Sequence, residues 1–205
     1  MPTRYNFLID SYATERLKVL SVWAMFRDED MLWRPQDPQR RGRSVLEQMV
    51  HQCVSEDLWF KNMLGIDLCK NALPEREMRL QFLQIYADRS KQRLERLHEQ
   101  SDDWWEAEAN FFEARRSRAW IVTRRMTHTA HHRGQLSAYL RTMGRDLHST
   151  YGPTSDTGGL MINNAPVIYP YDDVESLLDG EAQGGRKRAL PGAPKDKPCT
   201  ERPDM

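Results

Sequence analysis

Apolar residues recur at helical rather than alternating spacing over four long stretches. The first runs from about Asn6 to Arg27, where Leu8, Tyr12, Leu17, Leu20, Val22 and Met25 mark the apolar positions. Asp28 to Arg43 breaks the rhythm with two prolines and mixed charge and reads as a loop. A capping box, Ser44-Val45-Leu46-Glu47, then starts the second helix: the serine hydroxyl can accept the Glu47 amide and the glutamate can reach back. Val45, Leu46, Met49, Val50, Cys53, Val54 and Leu58 supply its apolar face, and it should end near Gly65. Pro74 opens the third helix, since a first-turn proline forfeits no helical hydrogen bond. Leu80, Leu83, Ile85, Tyr86, Leu94 and Leu97 carry it to about His98. Ser117 is the N-cap of the fourth, which runs to about Met143 and stops at Gly144.

Ser101 to Arg116 holds Trp104-Trp105 and Phe111-Phe112 and reads as a long ordered connection, not a helix, with its aromatics packed on the bundle. Beyond Gly144, Tyr151 to Asp173 has glycine, proline and few helix formers. From Gly180 onward the chain is Gly, Pro, Lys and Arg with almost no apolar content, the composition of a disordered segment. The expectation is an all-α protein: a four-helix bundle over 1–147, an irregular extension over 148–178 that packs on it, and a disordered polar tail over 179–205.

Composition narrows the function. Two hundred and five residues suit one domain with a substantial core. Lys+Arg and Asp+Glu are both 30, and that balance argues against a dedicated nucleic-acid binder. No apolar run approaches a membrane span, and the start, Met-Pro-Thr-Arg-Tyr-Asn, has no signal-peptide core. Cys53, Cys69 and Cys199 form no CxxC and no disulfide framework, so the expected location is the cytoplasm.

The chemistry concentrates in Arg124-Arg125-Met126-Thr127-His128-Thr129-Ala130-His131-His132-Arg133-Gly134-Gln135. His128 and His132 are four apart, so on a helix they share one face and can converge on one metal ion. His131 points about 100° away. His51, mid-way along the second helix beside its apolar face, is the candidate third ligand, because bundles build metal sites between facing helices. The bland alternative is a satisfied core histidine at position 51 and a chance HxxxH. No glutamate follows His128, so this is not the HExxH of metalloproteases. His98 and His148, at helix ends, read as solvated caps. Gln135, Arg125, Glu47 and Ser55 are placed to orient an imidazole, and Cys53, on nearly the opposite face from His51, reads as a core residue. From Arg115 to Arg145 there are eight arginines and no acid, a local positive field that could attract an anionic substrate, though most should pair with acids of the other helices. Arg133, off the ligand face, suits an intrabundle or dimer contact, and mid-helix Gly134 suggests close approach of a neighbouring helix. The single Asp156-Thr157-Gly158 triplet carries no protease reading.

His128-Thr-Ala-His131-His132-Arg133-Gly134-Gln135-Leu136, followed by Tyr139-Leu-Arg141 and Gly144, resembles the HxxHHRGQ signature of the DinB/YfiT superfamily. Leu46-Glu-Gln-Met-Val-His51-Gln-Cys-Val-Ser-Glu56-Asp-Leu-Trp59 is similar to that family's second-helix motif. The resemblance covers roughly residues 6 to 145. It implies a four-helix bundle, often dimeric, with a divalent metal, nickel or zinc among those found, on His51, His128 and His132. It also implies thiol-dependent transferases and isomerases using mycothiol, bacillithiol or glutathione, although many members have no established activity. The expectation is therefore a metal-dependent enzyme of the thiol-dependent S-transferase or hydrolase type, with a small-molecule substrate, a low-molecular-weight thiol as co-substrate, and a homodimeric state. The alternative is a non-catalytic helical dimer with a structural or vestigial metal site, serving stress response or binding.

Overall fold

A computed structural model describes residues 3–35, 41–196, 198 and 200. The long helices are α1 (Asn6–Met25), α2 (Val45–Asn62), α3 (Arg79–His98) and α5 (Arg118–Thr142). Helix α1 packs against α3 and α5, and α2 against the same two, closing a four-helix bundle. The local signals act as expected. Ser44 Oγ accepts the Glu47 amide at 3.1 Å while Glu47 accepts the Ser44 amide at 2.8 Å. Ser117 Oγ accepts the Trp120 amide at 3.2 Å, and Gly144 ends the helix with φ +64°, the left-handed geometry glycine adopts most readily.

Three stretches depart from the expectation. The third helix begins at Arg79, not Pro74, because Met78 is extended and the Arg76 amide is satisfied by the Gln81 side chain at 3.1 Å rather than by helix. Its first turn is fixed instead by Arg79, which pairs with Asp28 at 2.9 Å and Glu181 at 2.5 Å. Ser101 to Arg116, expected as an ordered connection without a helix, holds both a short helix and a hairpin. Ser101 caps a short helix, α4 (Asp102–Glu106), followed by an antiparallel hairpin, β1 (Glu108–Phe111) and β2 (Ala114–Ser117), with Phe111 paired to Ala114. Trp105 is fully buried, as the packing expectation requires, but Phe112, at the hairpin tip with φ +52°, is 70 % exposed.

The third departure is C-terminal. Asp173 caps another helix, α6 (Val174–Ala182), which crosses the expected boundary between extension and tail and packs on α1 and α3. Tyr171, Val174 and Leu177 join the main core. Glu181 is buried there, bonded by Tyr171 at 2.6 Å and paired with Arg79 and with Lys187 at 2.8 Å. A carboxylate is held inside only with such partners, which explains why residues of the expected tail fold back. His148, expected as a solvated cap, is buried with Nε2 at 2.8 Å from the Arg188 carbonyl, whereas His98 is exposed. Residues 197, 199 (Cys199) and 201–205 of the expected tail lie outside the described residues.

The core has two parts. One gathers Val19 to Phe26, Val45, Met49, Cys53, Phe82, Tyr86, Leu136, Leu140 and the α6 residues. The other gathers Leu8, Ile9, Tyr12, Phe60, Leu64, Leu97, Trp105, Ile121 and Val122. The buried carboxylate of Glu56 joins them, accepting Tyr12 from one part at 2.6 Å and Tyr86 from the other at 3.1 Å. Arg93 and Arg125, both buried, lie 3.5 and 3.7 Å from it. Burial first and the Glu56 charge second hold both phenols neutral, far above their ordinary pKa. Gly134 has open space where a Cβ would stand, so no neighbouring helix among the described residues explains it. No helix among the described residues is long and apolar enough to cross a membrane.

Candidate metal centre

Helix α2 contributes His51, and α5 contributes His128 and His132. The Nε2 atom of His132 lies 3.1 Å from Nε2 of His51 and 3.2 Å from Nε2 of His128. His132 is buried and the other two are half-buried at the rim. These three form the one group among the described residues whose ligand atoms gather closely enough for a single ion. His131 is exposed and outside the group: its ring packs edge-on against His132 at 5.2 Å, and its Nε2 lies 3.1 Å from the Gln135 side-chain nitrogen.

The protonation pattern follows from the neighbours. His132 Nδ1 faces two carboxamide oxygens, Gln48 Oε1 at 2.9 Å and Gln135 Oε1 at 3.1 Å, so Nδ1 must carry the proton. Its Nε2 is then a bare lone pair aimed at two other imidazole nitrogens. Gln48 also donates its amide to Gln135 Oε1 at 2.9 Å, which locks both carboxamides in this orientation. All three rings are held neutral. Burial lowers the His128 pKa to about 3, helped by the Arg125 charge. Burial lowers His132 to about 4, helped by the neighbouring His51. Burial and then the Arg43 charge lower His51. Neutral imidazoles are the form that binds metal. Metal–imidazole bonds of about 2.0–2.1 Å place tetrahedral ligands roughly 3.4 Å apart, close to the spacing seen. The donor set therefore fits a divalent ion, with no carboxylate or thiolate in it.

Trp59 walls one side, stacked on His128 at 5.6 Å and 26°, with Phe111 and Phe112 of the hairpin packed edge-on against it. Arg125 lies behind that wall. It donates to Ser55 at 2.9 Å and Thr129 at 3.0 Å and sits over the Trp59 ring. Glu47 stays at the α2 cap, where Arg34 and Arg41 pair with it, and Ser55 serves Arg125; neither is seen bonded to a histidine. Arg133 makes an intrabundle pair with Glu15 at 2.5 Å and also bonds Tyr151. Cys53 is buried, and burial pushes its thiol far up, out of ionisation range. Asp156 accepts Arg141 and the Leu147 amide, a structural role. Sequence reasoning passed over Gln48, although its place one turn before His51 on a capped helix was the available signal.

The rings open onto a cavity of about 500 Å³ lined by Arg43, His51, Arg124, His128, His131 and His132. A family model described as DinB family matches residues 1–159. None of the curated proteins matches the chain.

Proposed function

The chain belongs to the DinB family, and from that membership we propose a divalent-metal-dependent enzyme of the thiol-dependent S-transferase or hydrolase type. The observation that carries the reading is the meeting of three neutral imidazole nitrogens, one with its far side held by two carboxamides. Nickel or zinc suits an all-imidazole donor set. When bound, such an ion acts as a Lewis acid that makes a water or a thiol a better nucleophile near neutral pH.

The chain's own residues do the rest. His51, His128 and His132 hold the ion with their Nε2 lone pairs. Gln48 and Gln135 fix the His132 tautomer, so Nε2 stays available. Trp59 covers the flat face of His128 and restricts water on that side. The cavity leaves the opposite side free for a small molecule, and three protein ligands with an open side is the catalytic rather than the closed structural pattern. Cys53 is no nucleophile, because burial keeps its thiol protonated.

Elemental analysis of exhaustively dialysed protein tests the site. About one ion per chain is expected, and almost none in His51→Ala or His128→Ala. Metal-free wild type, or equal content in the variants, would sink the proposal. Melting with and without chelator separates roles: little change supports catalysis, and a large drop assigns the ion to structure. A panel of low-molecular-weight thiols and electrophiles then reads the reaction.

A further inference from the structure

The eight arginines from Arg115 on β2 to Arg145 just past α5 are nearly all engaged. Arg115, Arg125, Arg133, Arg141 and Arg145 pair with Glu108, Glu56, Glu15, Asp156 and Asp30. Arg116 and Arg118 bond backbone carbonyls and lie over the rings of Trp120 and Trp104. Arg124 alone of the eight has no side-chain partner among the described residues. It stands one turn before His128 on the same stripe of α5, roughly 6 Å along the axis. Across the cavity, Arg43 precedes the Ser44 cap of α2 and is likewise without a side-chain partner among the described residues. Its backbone is not adrift: Tyr139 of α5 donates to the Arg43 carbonyl at 3.1 Å, and Trp33 packs edge-on against Tyr139. Both arginines therefore line the histidine cavity, Arg124 from α5 and Arg43 from the segment that leads into α2, and no acidic side chain lines it with them.

We propose that Arg43 and Arg124 form an anion clamp at the mouth of the histidine cavity, and that the molecule admitted there is small and carries an oxyanion, a carboxylate or a phosphate. The inference deepens the metal-enzyme reading and rests on it for the reaction, but not for the binding. A guanidinium presents a planar fork of donors that matches two oxygens of one oxyanion. No carboxylate lines the cavity, so two cations face it uncompensated before any metal binds. A divalent ion would add two more positive charges. Such a site favours an anion over a neutral ligand of the same shape. A volume near 500 Å³ suits a metabolite-sized molecule.

Phenylglyoxal labelling of the full chain, mapped by mass spectrometry, tests the clamp with succinate and inorganic phosphate as probes. Arg43 and Arg124 should label readily, and a probe should protect both while the exposed Arg96 and Arg115 label unchanged. Protection by succinate alone assigns a carboxylate, and by phosphate alone a phosphate. Calorimetry should show the protecting probe binding at least tenfold more weakly to Arg43→Gln and to Arg124→Gln, with melting temperature and metal content unaltered. Binding by the wild type should weaken as salt rises. Absence of protection, or wild-type affinity in both variants, overturns the proposal. Repeating the labelling after chelation separates the two readings. Protection in a protein that never holds metal leaves the clamp standing and the metal reading refuted; bound metal without protection does the reverse.

Discussion

Replacing Gln48 and Gln135 with methionine, singly and together, probes how the site holds His132. In the native protein the His132 Nδ1–H is shared between two oxygens, at 2.9 and 3.1 Å. Gln48→Met removes one, yet Gln135 remains and is freed from the Gln48 amide. Metal affinity should then fall less than about tenfold, or ~1.4 kcal/mol. Gln135→Met also leaves an acceptor, Gln48 Oε1, but strands the buried Gln48 amide donor, at a stability cost of about 1–3 kcal/mol. The double variant leaves the buried Nδ1–H with no acceptor. The ring then gains by moving its proton to Nε2, the nitrogen that must be bare to ligate. Loss of such a partner typically costs 10–100-fold in metal affinity, and the double variant should lie near the upper end. The effect should exceed the product of the two single losses, because either oxygen alone suffices. Competition against a chromophoric chelator measures all four proteins, and urea melts of the metal-free forms separate stability from affinity. Strictly multiplicative losses, or a double variant within threefold of wild type, would refute the argument that a shared proton fixes the tautomer.

Glu56→Ala should destabilise the metal-free protein by about 3–5 kcal/mol in urea, since Arg125 loses its one carboxylate while Arg93 keeps Asp57 at 2.9 Å; Glu56→Gln, which retains acceptor and shape, should cost less. Leu177→Ala, at a fully buried position of α6, should cost about 2–5 kcal/mol by the same assay, and a loss under 1 kcal/mol would mean that α6 does not close the core. Stability of the metal-free protein should fall on acidification. Above about pH 6.5 both folded and unfolded rings are neutral, whereas between about 6.5 and 4 the unfolded chain takes protons that His132 in the fold refuses. His128 extends that window to about pH 3, and urea midpoints that stay flat from pH 7 to 5 would contradict it.

The bundle could be read from sequence because its helices announce themselves locally. Ser44 with Glu47, Ser117 and Gly144 are short-range signals that hold regardless of what packs around them. The hairpin carried no such sign. Its turn is Phe112-Glu113, with a left-handed phenylalanine where asparagine or glycine would have marked the bend. Helix α6 was hidden by length and surroundings: it is short, flanked by glycine and proline, and held by the Arg79–Glu181 pair, a contact between residues about a hundred positions apart. The histidines were legible because spacing on α5 and the resemblance of the α2 stretch around His51 to a family motif both point to them. Gln48, Arg43 and Glu56 were not, because their roles depend on which side chains face them across the bundle. An unpaired arginine is visible only once the partners of its neighbours are known.

The divided core has a consequence for how the protein opens. Two apolar clusters held together by one charged layer need not melt as a single unit. Glu56 and its tyrosines and arginines form the seam, and His51 lies little more than one turn from Glu56 on α2. Hydrogen exchange should therefore show two sets of slow amides with distinct opening energies. The seam amides of α2 and α5 should follow the weaker set. Each opening that parts those helices would also draw His51 away from His128 and His132. Residence of an ion at the site would then be timed by breathing of the bundle, not by ligand exchange in a rigid cage.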